Sequence, residues 1–383
     1  MSLFSQILSL IPRSLFKDLA AQYGVEYRSK GFSSWDQFVS MLFCQFAQAS
    51  SLREITMGLQ SCEGKLSHLG ISAPKRSTLS YANQNRAWEF YQAIFESLLG
   101  LVRGEAGTRN KKFNFKHKLF SIDASTIDLC LSVFDWAKFR TTKGAVKLHV
   151  RLDHDGYLPD FVIVTDGKVH DVTAAWSFPY ERGSITVFDR GYVDYSLFKH
   201  IENEKAFFVT RVKKNASYTV LEERSIPREA DEDIVSDSIV RLKSCEYPEP
   251  LRVIEVVDVE GRSIQFQTNN FELSAETISE IYRERWQIEL FFKELKQNLK
   301  IKTFVGTSKN AVMTQVYTAL ISILLLKYMK SKSSFGWSMS NLVAMVRMNL
   351  FTQKELWNWL NRPTDFIIEK VEHESYQIEL NLS

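Results

Sequence analysis

The chain has 383 residues, 45% of them hydrophobic and 13% aromatic, which suits a folded protein of two or three domains and argues against disorder over most of its length. A net charge of +3 names no partner, but residues 1–120 hold 15 Lys and Arg against 8 Asp and Glu, while the remainder holds 33 against 37. The positive excess therefore sits at the N-terminal end, densest in TRNKKFNFKHK (Thr108 to Lys118), which reads either as a polyanion-binding segment or as a solvated basic linker.

Cys44, Cys62, Cys130 and Cys245 lie far apart, with no pair at metal-ligand or redox spacing, so they read as reduced thiols of a cytosolic protein. The start, MSLFSQILSLIPRSLF, lacks the basic residues, long apolar run and small-residue cleavage site of a signal peptide and fits a short amphipathic helix.

In chain order, residues 1–107 are helical in period: FSSWDQFVSMLFCQFAQA, SLREITMGLQ and STLSYANQNRAWEFYQAIFESLLGLV carry apolar residues three and four apart, with turns at Gly70 and Pro74. Within them RSTLSYANQNR (Arg76 to Arg86), with Asn83, Gln84, Asn85 and Arg86, reads as a helix that recognises base edges or as a polar connector. From 108 to 214 the period changes. LFSID (Leu119 to Asp123), AVKLHVRLD, DFVIVTD and SITVFD (Ser184 to Asp189) are expected strands, with a hairpin turn at Asp155–Tyr157. HDVTAAWSF and VDYSLFKHIENE are expected helices, and KAFFVTRV a further strand, giving an α/β layout.

Residues 215–271 alternate again, in SYTVLEE, DIVSDSIVRL, PLRVIEVVDVEG and RSIQFQTNNF, and are expected to form a small antiparallel β unit inserted into the α/β domain. A helix follows in 272–307 after an N-cap at Ser274, with Ile281, Ile288, Phe291, Phe292, Leu295 and Leu299 on one side. Residues 308–383 return to helical spacing. Their most apolar run, Val316 to Leu326, has eleven residues, short of the roughly 18–20 that cross a bilayer, so a buried helix and no membrane are expected.

Two expected strands end in acid. Asp123 closes the first, and Asp189 closes the fourth just before Arg190-Gly191-Tyr192. At the carboxyl ends of neighbouring parallel strands the two would meet in the crevice where α/β sheets carry their sites, although aspartate also stands at strand ends simply to start turns. The helix supplies a third acid. At about 100° per residue, Tyr282, Arg285, Glu289 and Lys296 fall within about 60° of one another beside the apolar face, with Lys293 near the same stripe. An i,i+4 pair of Arg285 with Glu289 accounts for part of that stripe. Three carboxylates from two strands and a facing helix suit Mg²⁺ or Mn²⁺ and in-line phosphodiester displacement. Arg285 and Lys296 would then bind phosphates, with Tyr282 donating to another.

The spacing Y-x2-R-x3-E-x6-K at Tyr282, Arg285, Glu289 and Lys296, with Asp123 and the Asp189-Arg190-Gly191-Tyr192 run, resembles the DDE transposases of bacterial insertion sequences, in particular the insertion sequence four family. The segment FSQILSLIP…YRSKGFSSWDQFVSMLFCQFAQASSLREI is similar to the helical leader of one branch of it. The resemblance implies a ribonuclease H-like core with an inserted antiparallel β subdomain, flanked by a helical N-terminal region that binds terminal inverted repeats and a helical C-terminal region used in dimerisation. It implies cut-and-paste transposition in the bacterial cytoplasm on nucleoid DNA, by a synaptic homodimer. Asp123, Asp189 and Glu289 would be catalytic metal ligands, and Tyr282, Arg285, Lys296, Lys293 and Arg190 would bind DNA. Hairpin-forming members stack a tryptophan of the insertion on a flipped base. None lies between Asp189 and Trp286 here, leaving Tyr218, Tyr247, Phe266 or Phe271 as substitutes. Two other activities fit the same residues: a transposase-derived DNA-binding protein without chemistry, and a ribonuclease H-like nuclease that cuts without joining.

Overall fold

The computed structural model describes residues 1–27, 29, 31–105, 116–129, 136, 144–226, 233–243 and 247–364. Most of the basic run at Thr108 to Lys118, together with Cys130 and Cys245, lies outside them, while Cys44 and Cys62 are free thiols.

The N-terminal residues form α1 (Leu3–Ser9), α2 (Arg13–Gln22), α3 (Ser34–Phe46), α4 (Leu52–Ser61), α5 (Glu63–Leu66), α6 (Arg76–Asn85) and α7 (Glu89–Glu105). Helix α3 starts on a capping box, in which the Ser33 hydroxyl accepts from the Asp36 N–H and the Asp36 carboxylate accepts from the Ser33 N–H. All of its residues are buried, and it packs on α12 (Lys309–Lys332). The apolar run Val316 to Leu326 lies inside α12, which is long and apolar enough to cross a membrane by composition, yet 89% of its most apolar window is buried within the protein. Its buried Gln315 is matched. Gln315 donates to the Lys300 and Thr303 carbonyls at 2.7 and 2.8 Å and accepts from the Val305 N–H at 2.9 Å. Helices α13 (Met339–Asn349) and α14 (Leu356–Asn361) complete this layer.

The sheet has nine strands among the described residues: β1 (Leu119–Leu129), β2 (Gly144–Asp153), β3 (Leu158–Asp166), β4 (Ile185–Phe188), β5 (Phe207–Arg211), β6 (Tyr218–Glu223), β7 (Ile234–Leu242), β8 (Leu251–Val257) and β9 (Ser263–Thr268), in the order β3-β2-β1-β4-β5-β9-β8-β7-β6. Among these described strands only β1–β4 and β4–β5 pair in parallel. Helices α8 (Asp171–Ala175) and α9 (Tyr195–Asn203) supply Ala175, Leu197, Phe198 and Ile201 to one face. Helix α10 (Ala275–Glu284) supplies Ile278, Ile281 and Tyr282 to the other, against Ile185, Val187 and Val209.

Three expectations change. The strand expected to end at Asp123 runs on to Leu129, because β2 pairs antiparallel with it as far as Leu129↔Gly144. The inserted β unit is antiparallel within itself but not separate, since β9 pairs with β5 from Val209↔Thr268 to Arg211↔Phe266 and merges it into the main sheet. The helix expected through Ile281 to Gln297 is two: α10 ends at Glu284 and α11 (Trp286–Asn298) begins after Arg285. There the Arg285 N–H bonds the Tyr282 carbonyl and the Ile288 N–H bonds the Arg285 carbonyl, both i→i+3, which tightens one turn.

The Ser274 hydroxyl caps α10 by accepting from the Thr277 N–H. Arg252, 1% exposed, donates from Nε and Nη2 to both oxygens of Asp237 at 2.8 and 2.7 Å and from Nη1 to the Leu273 carbonyl, so the insertion also fixes the entry to α10. Leu320→Ala, at the fully buried centre of α12, is expected to cost about 2–5 kcal/mol through the cavity it leaves, read as a lower midpoint in denaturant unfolding.

Candidate active site

Strands β1 and β4 are parallel and in register through Ile122↔Phe188, so the next residue of each is an acid: Asp123 beside Asp189. The two are reached differently. At Asp189 strand β4 stops and the chain turns, with Asp189 Oδ1 accepting from the Gly191 N–H at 2.8 Å. A Cβ at position 191 would lie 3.0 Å from that oxygen, which favours glycine there. Asp123 is mid-strand, at the point where β1 loses its parallel neighbour, and its Oδ1 accepts from the Ala124 N–H at 2.8 Å.

Helix α11 packs across β1 and brings in Glu289. Between the acids stands Arg285, whose Nη2 donates to Glu289 Oε1 at 2.5 Å while Nη1 lies 3.7 Å from Asp123 Oδ2. Burial raises the Asp123 carboxyl to about 6, with Ala124 and Arg285 opposing the rise and Asp189 and Glu289 adding to it. Burial works against the Arg285 cation, yet Tyr282, Glu289 and Asp123 outweigh it and leave its pKa raised. Tyr282 is buried against Phe266, with ring centroids 4.7 Å apart, and burial raises its hydroxyl pKa. Lys296 Nζ donates to the Thr126 carbonyl on β1 at 2.7 Å, and burial, followed by Lys302, lowers its pKa. Lys293 is exposed.

All three acids offer hard carboxylate oxygens, the donor type that suits Mg²⁺ or Mn²⁺. Among the described residues no three His, Cys, Asp or Glu side chains stand close enough to share a metal ion, and the Arg285 guanidinium holds the space between two of the acids. The donor chemistry fits a divalent cation, and the raised Asp123 pKa reflects first its burial and only then the neighbouring acids, which one arginine offsets.

Other expected residues fall elsewhere. Asn83 is buried and accepts from Gln37 at 2.8 Å, and the half-buried Arg86 donates to the Ser33 and Phe32 carbonyls, so both hold the helical region together. Gln84 and Asn85 remain exposed. Tyr247 and Phe266 are core residues, Tyr218 is half-buried and donates to Gln265, and Phe271 is 36% exposed. Two features emerge only in the fold. Arg190 lines a cavity of about 450 Å³ with Arg211, Lys213, Lys214 and Tyr218, a clustering that depends on the joining of β5 to β9. Trp286, 57% exposed, lines a second cavity, of about 410 Å³, with Arg211, Phe266, Tyr282 and Arg285. Glu284 is buried, which its position three residues after Ile281 and four before Ile288 already foretells.

A family model for the transposase DDE domain matches residues 114–325. The chain belongs to the DDE transposase family. A second model, for a domain of unknown function, matches residues 1–72 of this transposase. A putative transposase of Sinorhizobium fredii, y4zB, is 34% identical over 261 residues, covering 67% of this chain and 71% of that protein. A probable transposase for insertion sequence element IS5377 of Geobacillus stearothermophilus is 29% identical over 64% of this chain and 65% of its own length. A putative transposase for insertion sequence element IS4SA of a Synechocystis strain is 22% identical, over 74% and 80%. The expectation of an insertion-sequence transposase is borne out, and with it an enzyme that cleaves and joins DNA and belongs to a family dependent on divalent metal.

The raised Asp123 pKa has a stability consequence. Its folded value, about 6, lies above the unfolded value of about 3.9, so the native state is the better proton binder, and stability falls as pH rises from about 4 to about 6 and stays lower above. In chelated buffer, Asp123→Asn is therefore expected to melt above the parent at pH 8, with the gap closing toward pH 4 in melts recorded across that range.

Proposed function

We propose that this transposase performs cut-and-paste transposition, binding the terminal inverted repeats of its own element, cleaving the ends and transferring the 3′ hydroxyls to target DNA. Asp123, Asp189 and Glu289 would hold Mg²⁺ or Mn²⁺ through their carboxylate oxygens. The observation that carries this reading is the parallel register of β1 and β4, which sets Asp123 beside Asp189, with Arg285 linking Asp123 to Glu289 across the facing helix. When bound, the divalent ion supplies Lewis acidity to the attacking and leaving oxygens.

The protein side of the reaction is positioning and charge. Arg285, Lys296 and Arg190 bind phosphates of the strand being cut, Lys293 binds the flanking backbone, and the Tyr282 hydroxyl donates to a phosphate oxygen. The cavity lined by Arg190, Arg211, Lys213 and Lys214 continues that path, because four cations around one opening favour a polyanion. If a hairpin intermediate forms, Trp286 on the helix itself is the exposed aromatic beside Tyr282 and Arg285, with Phe271 the other candidate. Two copies act together in a synaptic homodimer, in the cytoplasm on nucleoid DNA.

Purified protein with Mg²⁺ is expected to cleave DNA bearing the repeats that flank its gene. Asp189→Ala and Glu289→Ala should each abolish cleavage while leaving the Kd for that DNA within about twofold. Cleavage persisting in both variants would remove these acids from the mechanism, and cleavage without strand transfer would favour a nuclease. Lys213→Ala with Lys214→Ala should weaken DNA binding and reduce the magnitude of its salt slope by about 2, on the order of 1 for each phosphate left without its cation, as measured by titrations at several salt concentrations.

A further inference from the structure

One residue ahead of Arg285 stands an acid that the site just described does not use. Glu284 closes α10, is 6% exposed, and lies on the apolar side of its helix. A carboxylate taken out of water needs partners, and these come from the turn between β2 and β3. The Tyr157 hydroxyl donates to Glu284 Oε2 at 3.1 Å, and His154 Nδ1 faces the same oxygen at 3.8 Å. On its other side His154 Nε2 is 2.7 Å from the Ser121 hydroxyl, on β1 two residues before Asp123. Tyr157 adopts φ 54° in the turn and packs edge-on against His154, with centroids 5.5 Å apart.

Serine, histidine and acid in that order match a hydrolytic triad in type only. Ser121 is fully buried within the sheet, with no path for a substrate. What the chain of contacts does is join two elements. It starts on the strand two residues before Asp123 and ends on the helix one residue before Arg285, next to the tightened turn. The Asp123 to Arg285 approach of 3.7 Å spans the same two elements.

We propose that Glu284, Tyr157, His154 and Ser121 form a clasp that fixes the start of α11 against β1, making Glu284 and Tyr157 positioning residues for DNA cleavage. The inference rests on the reading of Asp123 and Glu289 as the site. Displacements of about 1 Å at a catalytic centre cost on the order of 100-fold in rate, so a loosened clasp slows chemistry without removing any group that touches DNA.

The test uses the full chain, with single-turnover cleavage at saturating DNA, the Kd for the same DNA, and thermal melting. Tyr157→Phe removes one hydroxyl. Glu284→Ala removes the acid, and Glu284→Gln keeps its shape and an acceptor for Tyr157. Tyr157→Phe and Glu284→Ala are expected to lower the cleavage rate about tenfold or more with the Kd within about twofold, and Glu284→Gln to recover most of the loss. The double variant should fall no further than Glu284→Ala, because residues acting as one unit are not additive. Should Glu284→Ala not fold, Tyr157→Phe and Glu284→Gln decide: a tenfold loss in the first with near-normal cleavage in the second supports the clasp. Parental rates in folded Tyr157→Phe and Glu284→Ala, or a loss that appears only in Kd, overturn it. If Glu289→Ala is inactive while the clasp variants cleave normally, the clasp alone is wrong. Normal cleavage by Glu289→Ala overturns the site reading and the clasp with it.

Discussion

Acids gathered in a half-buried crevice repel one another, and the Arg285 cation between Asp123 and Glu289 is what makes their proximity tolerable. Each larger feature of the fold bears on that contact. The parallel pairing of β1 and β4 fixes where Asp123 stands, and the tightened turn after Glu284 fixes where the guanidinium stands. Arginine suits this place because its planar fork reaches two carboxylates and remains charged when desolvated. Burial keeps the Asp123 carboxyl at a raised pKa, so the protein holds this site at a cost to its own stability, as functional sites commonly do.

The site is braced from behind by the helical layer. Helix α11 lies between β1 and the buried α12, and Lys327 on α12 pairs with Glu294 on α11 at 3.2 Å. Gln315 ties the segment leaving α11 back to α12. Arg103 on α7 reaches Asp153 and Asp160 at 3.0 and 2.7 Å, joining the N-terminal helices to the sheet edge. Ionic contacts of this kind fix orientation more than they add stability, since both partners give up water to make them.

Period and local chemistry made much of this legible. The strands of the core, the Ser274 cap, the buried run in α12 and the stripe of Tyr282, Arg285, Glu289 and Lys296 all follow from residue spacing. What escaped was set by distant partners. Strand β1 outlasts Asp123 only because β2 pairs alongside it, and β9 joins β5 across the whole insertion. Asn83 and Arg86 look like recognition residues until Gln37 and the carbonyls around Ser33 claim them. The tightened turn at Arg285 shifts two hydrogen bonds without disturbing the apolar period, so no spacing reveals it. Glu284 was within reach, because its place on the buried face already made it an acid needing a partner.

The seam between β5 and β9 also bears on the order of events during synthesis. Arg211 finds Phe266 only after the insertion has been made, a long loop closure of the kind that slows folding. Asp123 and Asp189 lie earlier in the chain than that closure, and Glu289 lies beyond it. A nascent chain therefore carries two of the three acids well before the third has left the ribosome, and a prematurely terminated one never gains it. The three acids are present together only in a chain that has been carried through the insertion and into α11.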